Sequence, residues 1–206
     1  MNKLIMVLIF FLLIITGSKL SALSSAEIDK AAPEFALTDS YSKTYKLSDY
    51  KGKFVVLEWV NFHCPFVKKH YKSGNMQNLQ KEYTAKGVVW LSICSSAPGK
   101  EGNFSTDQIN QQLKEYNASQ TAYLIDEDGT VGKMYGAKTT PDMYIINKEG
   151  ILIYTGAIDD IRSTDVDDIP KAKNFVKEAL DNALNGNPIV TKITKSYGCS
   201  VKYNQN

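Results

Sequence analysis

Cys64 stands between an apolar run at residues 54–60 and the segment Pro65-Phe66-Val67-Lys68-Lys69-His70. A strand that ends just before a cysteine, followed by a proline that opens a helix, puts the thiol at a helix N-terminus. Backbone N–H groups there lack intrahelical partners and favour negative charge, so thiolate gains over thiol. A thiolate is the nucleophile of disulfide and peroxide chemistry. Lys68 and Lys69, one turn on, act in the same direction, whereas Trp59, Phe62 and Phe66 oppose it by desolvation. The electrostatic pull is expected to prevail and to leave Cys64 exposed and reactive, the other reading being a thiol that fills the core.

Two further cysteines, Cys94 and Cys199, make three in all, an odd number that argues for chemistry over a disulfide scaffold. Cys199 sits near the C-terminus between Gly198 and Ser200, either as a tail thiol without a role or as the partner that releases Cys64. Cys94 ends an apolar stretch and reads first as core filling, with pairing to Cys64 as the alternative. Glu58 interrupts residues 54–60 and could face solvent. If it faces inward, burial raises its pKa and makes it a proton acceptor near neutral pH. His63, His70 and Met76 near Cys64 invite a copper reading on donor type, but a helix-surface histidine and a core methionine fit them better. Asp126-Glu127-Asp128-Gly129 lacks the later acidic ligand of a calcium loop and reads as a turn.

The elements that must position these residues follow from periodicity. Residues 36–39 and 44–46 alternate around a turn at 39–43, and residues 54–60 and 88–93 read as strands covered on both faces. A helix from Pro65 breaks near Ser73-Gly74-Asn75, and a second resumes through Met76, Leu79 and Tyr83 with Asn75 as its cap. Ser105 and Gln108 have the spacing of a capping box, ahead of Ile109, Leu113 and Tyr116 on one helical face. Strands at 122–125, 143–146 and 151–154 follow, the last two joined by a turn at 147–150. A final helix is expected to open at Pro170 and stop at Gly186. Strand, helix, strand, helix, hairpin and helix make an α/β domain with a mixed sheet, and in such sheets sites gather at the carboxyl ends of strands, where Cys64 falls.

Lys3, an apolar stretch over 4–15 and small or polar residues over 16–25 have the layout of a secretory signal peptide. The apolar part is short for a membrane span. Residues 1–22 are accordingly read as a leader, which makes the protein periplasmic or secreted, with membrane attachment only if the leader is uncleaved. Losing Lys3 and Lys19 takes the formal charge of +2 to zero, and no basic surface remains to argue for nucleic acid.

Several of these segments resemble the thioredoxin-like superfamily, in particular its redoxin (AhpC/TSA-like) branch of exported bacterial proteins. The junction at 54–70 is similar to that superfamily's active-site turn, and Glu58 to its buried carboxylate. Thr139-Thr140-Pro141-Asp142-Met143-Tyr144 resembles its cis-proline segment. Ala32-Pro33-Glu34-Phe35 and Leu47-Ser48-Asp49-Tyr50-Lys51-Gly52-Lys53 resemble the redoxin opening hairpin, and the ending Gly198-Cys199-Ser200-Val201-Lys202-Tyr203 resembles small bacterial redoxin-domain proteins.

The resemblance implies a thioredoxin-like domain over 31–185, with a mixed central sheet, flanking helices and an N-terminal β-hairpin extension, and a C-terminal tail over 186–206 that carries Cys199. It implies a thiol-disulfide oxidoreductase with Cys64, Cys199 and Glu58 as catalytic groups, Pro65, Thr140 and Pro141 holding substrate, no cofactor and no metal, and thiols, disulfides or peroxide as partners. Val67 stands where a thioredoxin has its second cysteine, so a local disulfide is excluded. Asn61 and Leu57 replace the threonine and proline of peroxiredoxins, and Arg162 is the sole arginine. Alternatives on the same scaffold are a peroxiredoxin-like thiol peroxidase and a copper-binding or redox-silent interaction module.

Overall fold

The computed structural model describes residues 25–204, so the leader expected at 1–22 lies outside the described residues. Strands β1 (Ala36–Asp39) and β2 (Thr44–Lys46) form an antiparallel hairpin, and Asp39 Oδ1 closes its turn by accepting the N–H groups of Tyr41 and Lys43. β3 (Val55–Trp59) is buried throughout. Val55, Leu57 and Trp59 enter one apolar cluster while Val56 and Val60 enter another, which explains a run with no exposed face.

Helices α1 (Pro65–Lys72) and α2 (Asn75–Ala85) lead to β4 (Val89–Cys94), and α3 (Thr106–Glu115) leads to β5 (Ala122–Ile125). Next come α4 (Thr130–Tyr135), β6 (Thr139–Thr140), β7 (Asp142–Ile146), β8 (Leu152–Gly156), α5 (Phe175–Leu184) and β9 (Cys199–Ser200). The main sheet runs β2-β1-β5-β4-β3-β7-β8, with β3, β4 and β5 parallel and the other pairs antiparallel. It is therefore mixed and covered on both faces, and Cys64 follows the carboxyl end of its inner strand β3.

Helix boundaries test the local reading. The capping box of α3 is present: Gln108 N donates to Ser105 Oγ at 3.3 Å and Ser105 N to Gln108 Oε1 at 2.9 Å. Asn75 does not cap α2. Gly74, with φ of 76°, occupies that position, and the Asn75 amide donates instead to His70 Nδ1 at 2.9 Å. Nor does Pro170 open the last helix. It lies inside a separate 3-10 turn, Val166–Lys171, and α5 begins at Phe175 under an Asn174 cap that accepts Lys177 N at 2.8 Å. The interruption has a cause, because Asn174 bridges Asp159 and Phe175 N bonds Ile158 O, which holds this stretch extended. Helix α4 carries too few turns to show a period, and Asp126 organises its start by accepting Val131 N and Gly132 N.

The last residues are not a loose tail. Thr155 N bonds Lys192 O and Thr194 N bonds Thr155 O, which seats the chain along the outer edge of β8. β9 then pairs antiparallel with β6, Thr140 opposite Cys199. Beyond it Val201 N bonds Lys138 O, Ala97 N bonds Lys202 O, and Tyr203 Oη donates to Ala137 O at 2.8 Å. Residues 192–203 thus form a strap across the carboxyl ends of the strands.

Candidate active site

Cys64 is the N-cap of α1, in extended conformation, with Pro65 at the first helical position. Its turn is built by Asn61, whose Oδ1 accepts His63 N at 2.9 Å and whose carbonyl accepts Cys64 N at 2.9 Å. The Asn61 side chain is in turn held by the backbone oxygen of Glu101. From sequence Asn61 stands only as a departure from the peroxiredoxin threonine, although an Asn three residues ahead of a Cys-Pro helix start is a recognisable Asx-turn signal.

The expectation of an exposed sulfur is wrong for this state. Cys64 is 0% exposed, packed among Val60, Phe62, Val67 and neighbouring core residues, with Cys199 against that cluster. Lys69 does not present its charge at the surface beside the thiol. It is buried, donates to Ile161 O at 3.0 Å and pairs with Asp159 Oδ2 at 3.6 Å.

Thr140 and Pro141 are joined by a cis peptide bond, and Cys64 Sγ donates to Thr140 O at 3.0 Å. Opposite Thr140 in the β6–β9 pair stands Cys199, half-buried and packed against the apolar cluster that holds Cys64. Burial first, then the neighbouring Cys64 sulfur, pushes the Cys199 thiol up to about 12, so Cys199 stays protonated. Gly198 makes the approach possible. Its φ is 145°, and a Cβ there would lie 2.0 Å from Thr140 O. Pro65 is exposed at the rim, and Thr140 Oγ1 is buried without a partner.

Glu58 faces inward and is fully buried. Its Oε1 accepts Tyr71 Oη at 2.8 Å, and its Oε2 accepts Trp90 Nε1 at 2.8 Å, Ser92 Oγ at 2.9 Å and Gln80 Nε2 at 3.2 Å. Burial pushes its pKa up, and the four donors pull it partly back. Among the described residues no hydrogen bond joins it to Cys64; Tyr71 connects it to α1. Cys94 is buried in β4 with its thiol toward Gly102 O at 3.3 Å. His63 is exposed with its ring on Phe104, His70 is buried against Asn75, and Met76 is in the core. Among the described residues no three His, Cys, Asp or Glu side chains converge as a metal site. Arg162 lines a cavity with Asp159 and Tyr197.

Asp142, beside the cis-proline, is a second buried carboxylate. Burial raises it to about 6, against the N–H groups of Lys138, Thr139 and Met143 and the Ser196 hydroxyl, which lower it. A carboxyl raised in the folded state binds its proton more tightly there than in the unfolded chain. Its favourable contribution is therefore complete at low pH and is lost as pH rises through 6. Asp142→Asn should accordingly gain stability relative to the parent between pH 4 and pH 7, by about 2 to 3 kcal/mol. Urea unfolding of both proteins at several pH values checks this, and a constant difference would refute it.

The sequence profile of the AhpC/TSA family matches residues 28–155. The chain belongs to the AhpC/TSA family. Within the curated relatives, the thiol-disulfide oxidoreductase ResA of Bacillus thuringiensis subsp. konkukian is 29% identical over 127 residues, which cover 62% of this chain and 68% of that protein. An uncharacterized conserved protein from Geobacillus kaustophilus superposes with a TM-score of 0.78 at 32% identity, covering 87% of this chain and 94% of that one. A putative thiol:disulfide interchange protein DsbE from Chlorobium tepidum superposes with a TM-score of 0.57 at 22% identity over 78% of this chain and 99% of its own, and shares the fold. The fold of this AhpC/TSA-family chain is thioredoxin-like, with the mixed sheet and flanking helices expected from sequence.

Proposed function

We propose that this chain is an exported thiol-disulfide oxidoreductase in which Cys64 is the nucleophile and Cys199 the resolving cysteine. One observation carries the reading: Cys64 and Cys199 flank the same residue of the cis-proline segment, Cys64 Sγ lying 3.0 Å from Thr140 O and Cys199 standing opposite Thr140 in the β6–β9 pair. The curated relatives named as thiol-disulfide oxidoreductases support the same chemistry. Export rests on the leader-like residues 1–22.

With the strap lifted, the Cys64 thiolate attacks one sulfur of a client disulfide. A mixed disulfide forms and the other client sulfur leaves as thiolate with the bonding pair. Burial holds Cys199 high first and the Cys64 sulfur beside it second, and the second cause falls away once Cys64 is bonded to the client. Cys199 then loses its proton more readily, attacks Cys64 Sγ and expels the second client thiolate. The client has gained two electrons and the protein holds a Cys64–Cys199 disulfide. Run backward, the same steps oxidise a client dithiol, and the relative potentials set the direction. Thr140 and Pro141 hold the client chain with Pro65 at the rim, and Glu58 manages the proton through the Tyr71 side of α1.

Peptide mapping of the oxidised protein without reductant should show Cys64 joined to Cys199. Cys64→Ser should lose turnover of a protein disulfide by at least about a thousandfold, and Cys199→Ser should stall as a mixed disulfide. Cys199 found free whenever Cys64 is oxidised would remove the resolving step. Turnover of hydrogen peroxide in preference to disulfide would reassign the reaction.

A further inference from the structure

The strap does more than bring Cys199 to Cys64, because it is also fastened by a buried polar cluster that the disulfide chemistry does not use. Lys69, His70 and Asp159 are each at most 2% exposed, and Tyr197, two residues before Cys199, reaches them. Tyr197 Oη donates to Asp159 Oδ1, and its ring packs edge-on against Phe66 at 5.8 Å. Asp159 Oδ2 lies 3.6 Å from Lys69 Nζ and 3.9 Å from His70 Nε2, which has no hydrogen-bond partner. Buried charge of this kind is costly unless paired, so the cluster is a poor way to stabilise a core. As a receptor for a hydroxyl it is well made: an acceptor held by a cation, with an aromatic wall beside it.

The strap is lightly flanked where it crosses this cluster. Cavities of about 330 Å³ and 520 Å³ lie alongside residues 194–198, the first lined by Ala157, Asp159, Arg162 and Phe175, the second by Lys138, Asp142 and Thr155. Lifting the segment withdraws Tyr197 and Cys199 from the edge of one apolar cluster and Val201 from the edge of the other, but displaces no strand of the main sheet. It also must lift, since Cys64 is 0% exposed beneath it.

We propose that Phe66, Lys69, His70 and Asp159 form a recognition subsite for an aromatic hydroxyl two residues ahead of a reacting cysteine, that Tyr197 occupies it in the resting protein, and that a client reaches Cys64 by presenting the same tyrosine–glycine–cysteine pattern in place of the strap. The inference rests on the thiol-disulfide reading above and adds to it the class of client, an extended peptide. Gly198 sets the middle position, because a side chain there meets Thr140 O.

The test uses the full chain carrying Gly198→Val and Cys199→Ser, which unseats the strap and leaves Cys64 to react. Tyr197→Ala with Cys199→Ser is a second background that empties the subsite without crowding Thr140. The probe is a synthetic copy of residues 195–202 whose cysteine is a mixed disulfide with thionitrobenzoate. Cys64 thiolate attacks the peptide sulfur, the Cys64–peptide disulfide forms, and thionitrobenzoate leaves with the electron pair and is read by absorbance. Replacing the peptide's tyrosine by phenylalanine should slow the reaction at least about tenfold, the size of one hydrogen bond to a charged acceptor. Replacing its glycine by valine should slow it comparably. Asp159→Asn should erase the tyrosine–phenylalanine difference, and Cys199→Ser alone, with the strap seated, should react more slowly than either background.

Rates equal within twofold for all peptides, with rapid reaction of the symmetric thionitrobenzoate disulfide, would overturn the subsite and leave Cys64 as the nucleophile. No reaction of Cys64 with any disulfide in both backgrounds would overturn the thiol-disulfide reading, and the subsite with it.

Discussion

Oxidation that joins Cys64 to Cys199 is expected to stabilise the folded chain by about 5 kcal/mol at 25 °C, the loop-closure entropy removed from the unfolded state by a crosslink between these positions. In a chain of this length that corresponds to a rise of about 10 to 20 °C in Tm. The folded state should contribute little opposing strain. Cys199 is already paired in register with Thr140, whose carbonyl accepts the Cys64 thiol. Most of the gain therefore comes from the unfolded chain, where the two cysteines are otherwise far apart. Urea unfolding of reduced and oxidised protein gives the difference directly. The Cys199→Ser protein under the same oxidant should show none of it, and neither should Cys64→Ser. Identical midpoints for oxidised and reduced parent would mean that Cys64 does not bond to Cys199.

Such a shift would couple redox state to the strap. In the reduced protein residues 192–203 are held by backbone hydrogen bonds, by Tyr197 on Asp159 and by Tyr203 on Ala137. Each is worth about 1 kcal/mol net, more for the bond to a carboxylate, and several must open together to uncover Cys64. Once Cys64 and Cys199 are bonded, the strap cannot leave at all. When the protein acts as reductant, the reduced form receives the client and the oxidised form, its strap tied down, does not compete for client disulfides until it has been reduced.

What sequence carried well was the part of the molecule fixed by local pattern. Residues 54–60 and 88–93 read as two-sided strands because they are almost unbroken in apolar residues, with Glu58 left open, and the helix at Pro65 follows from a proline whose missing N–H costs nothing there. The Ser105 and Gln108 capping box is a pair of reciprocal bonds within one turn and needed no tertiary knowledge. The failures were tertiary. Pro170 looked like a helix start until residues 158 and 159 claimed the intervening backbone. Asn75 had the chemistry of a cap, but His70 took its amide. The burial of Cys64 is illegible for the same reason, since nothing near residue 64 announces that residues more than a hundred positions later will cover it. The strap has no hydrophobic period, and it docks through backbone bonds, one glycine and two tyrosines. Lys69 reads from sequence as a charge beside the thiol, and only the fold buries it with Asp159 under Tyr197.

Replacement of Glu58 should divide its two roles. Glu58→Leu removes the acceptor for Trp90, Ser92, Gln80 and Tyr71 at once, in a site with no exposure. Each stranded donor costs about 1 to 3 kcal/mol, so the loss should reach about 4 kcal/mol or more and leave the protein barely folded or unfolded at 37 °C. Glu58→Gln is milder. Its amide oxygen can take the Oε2 position, where Trp90, Ser92 and Gln80 donate, and its NH2 can face Tyr71 Oη, which is able to accept. The fold should survive with a loss of about 1 kcal/mol. Burial raises the Glu58 carboxyl, so in the parent its protonation favours the folded state and the carboxylate disfavours it; the stability gap between Gln and parent should therefore narrow as pH rises. If Glu58 manages the proton at Cys64 by way of Tyr71, the Gln protein should also turn over disulfides about a hundredfold more slowly and lose the acidic limb of its pH profile, an effect that a purely structural role would not produce. A Gln protein with parental rates and an unchanged pH profile would confine Glu58 to holding α1, α2 and β4 together, and the proton would have to leave Cys64 directly for solvent once the strap has opened.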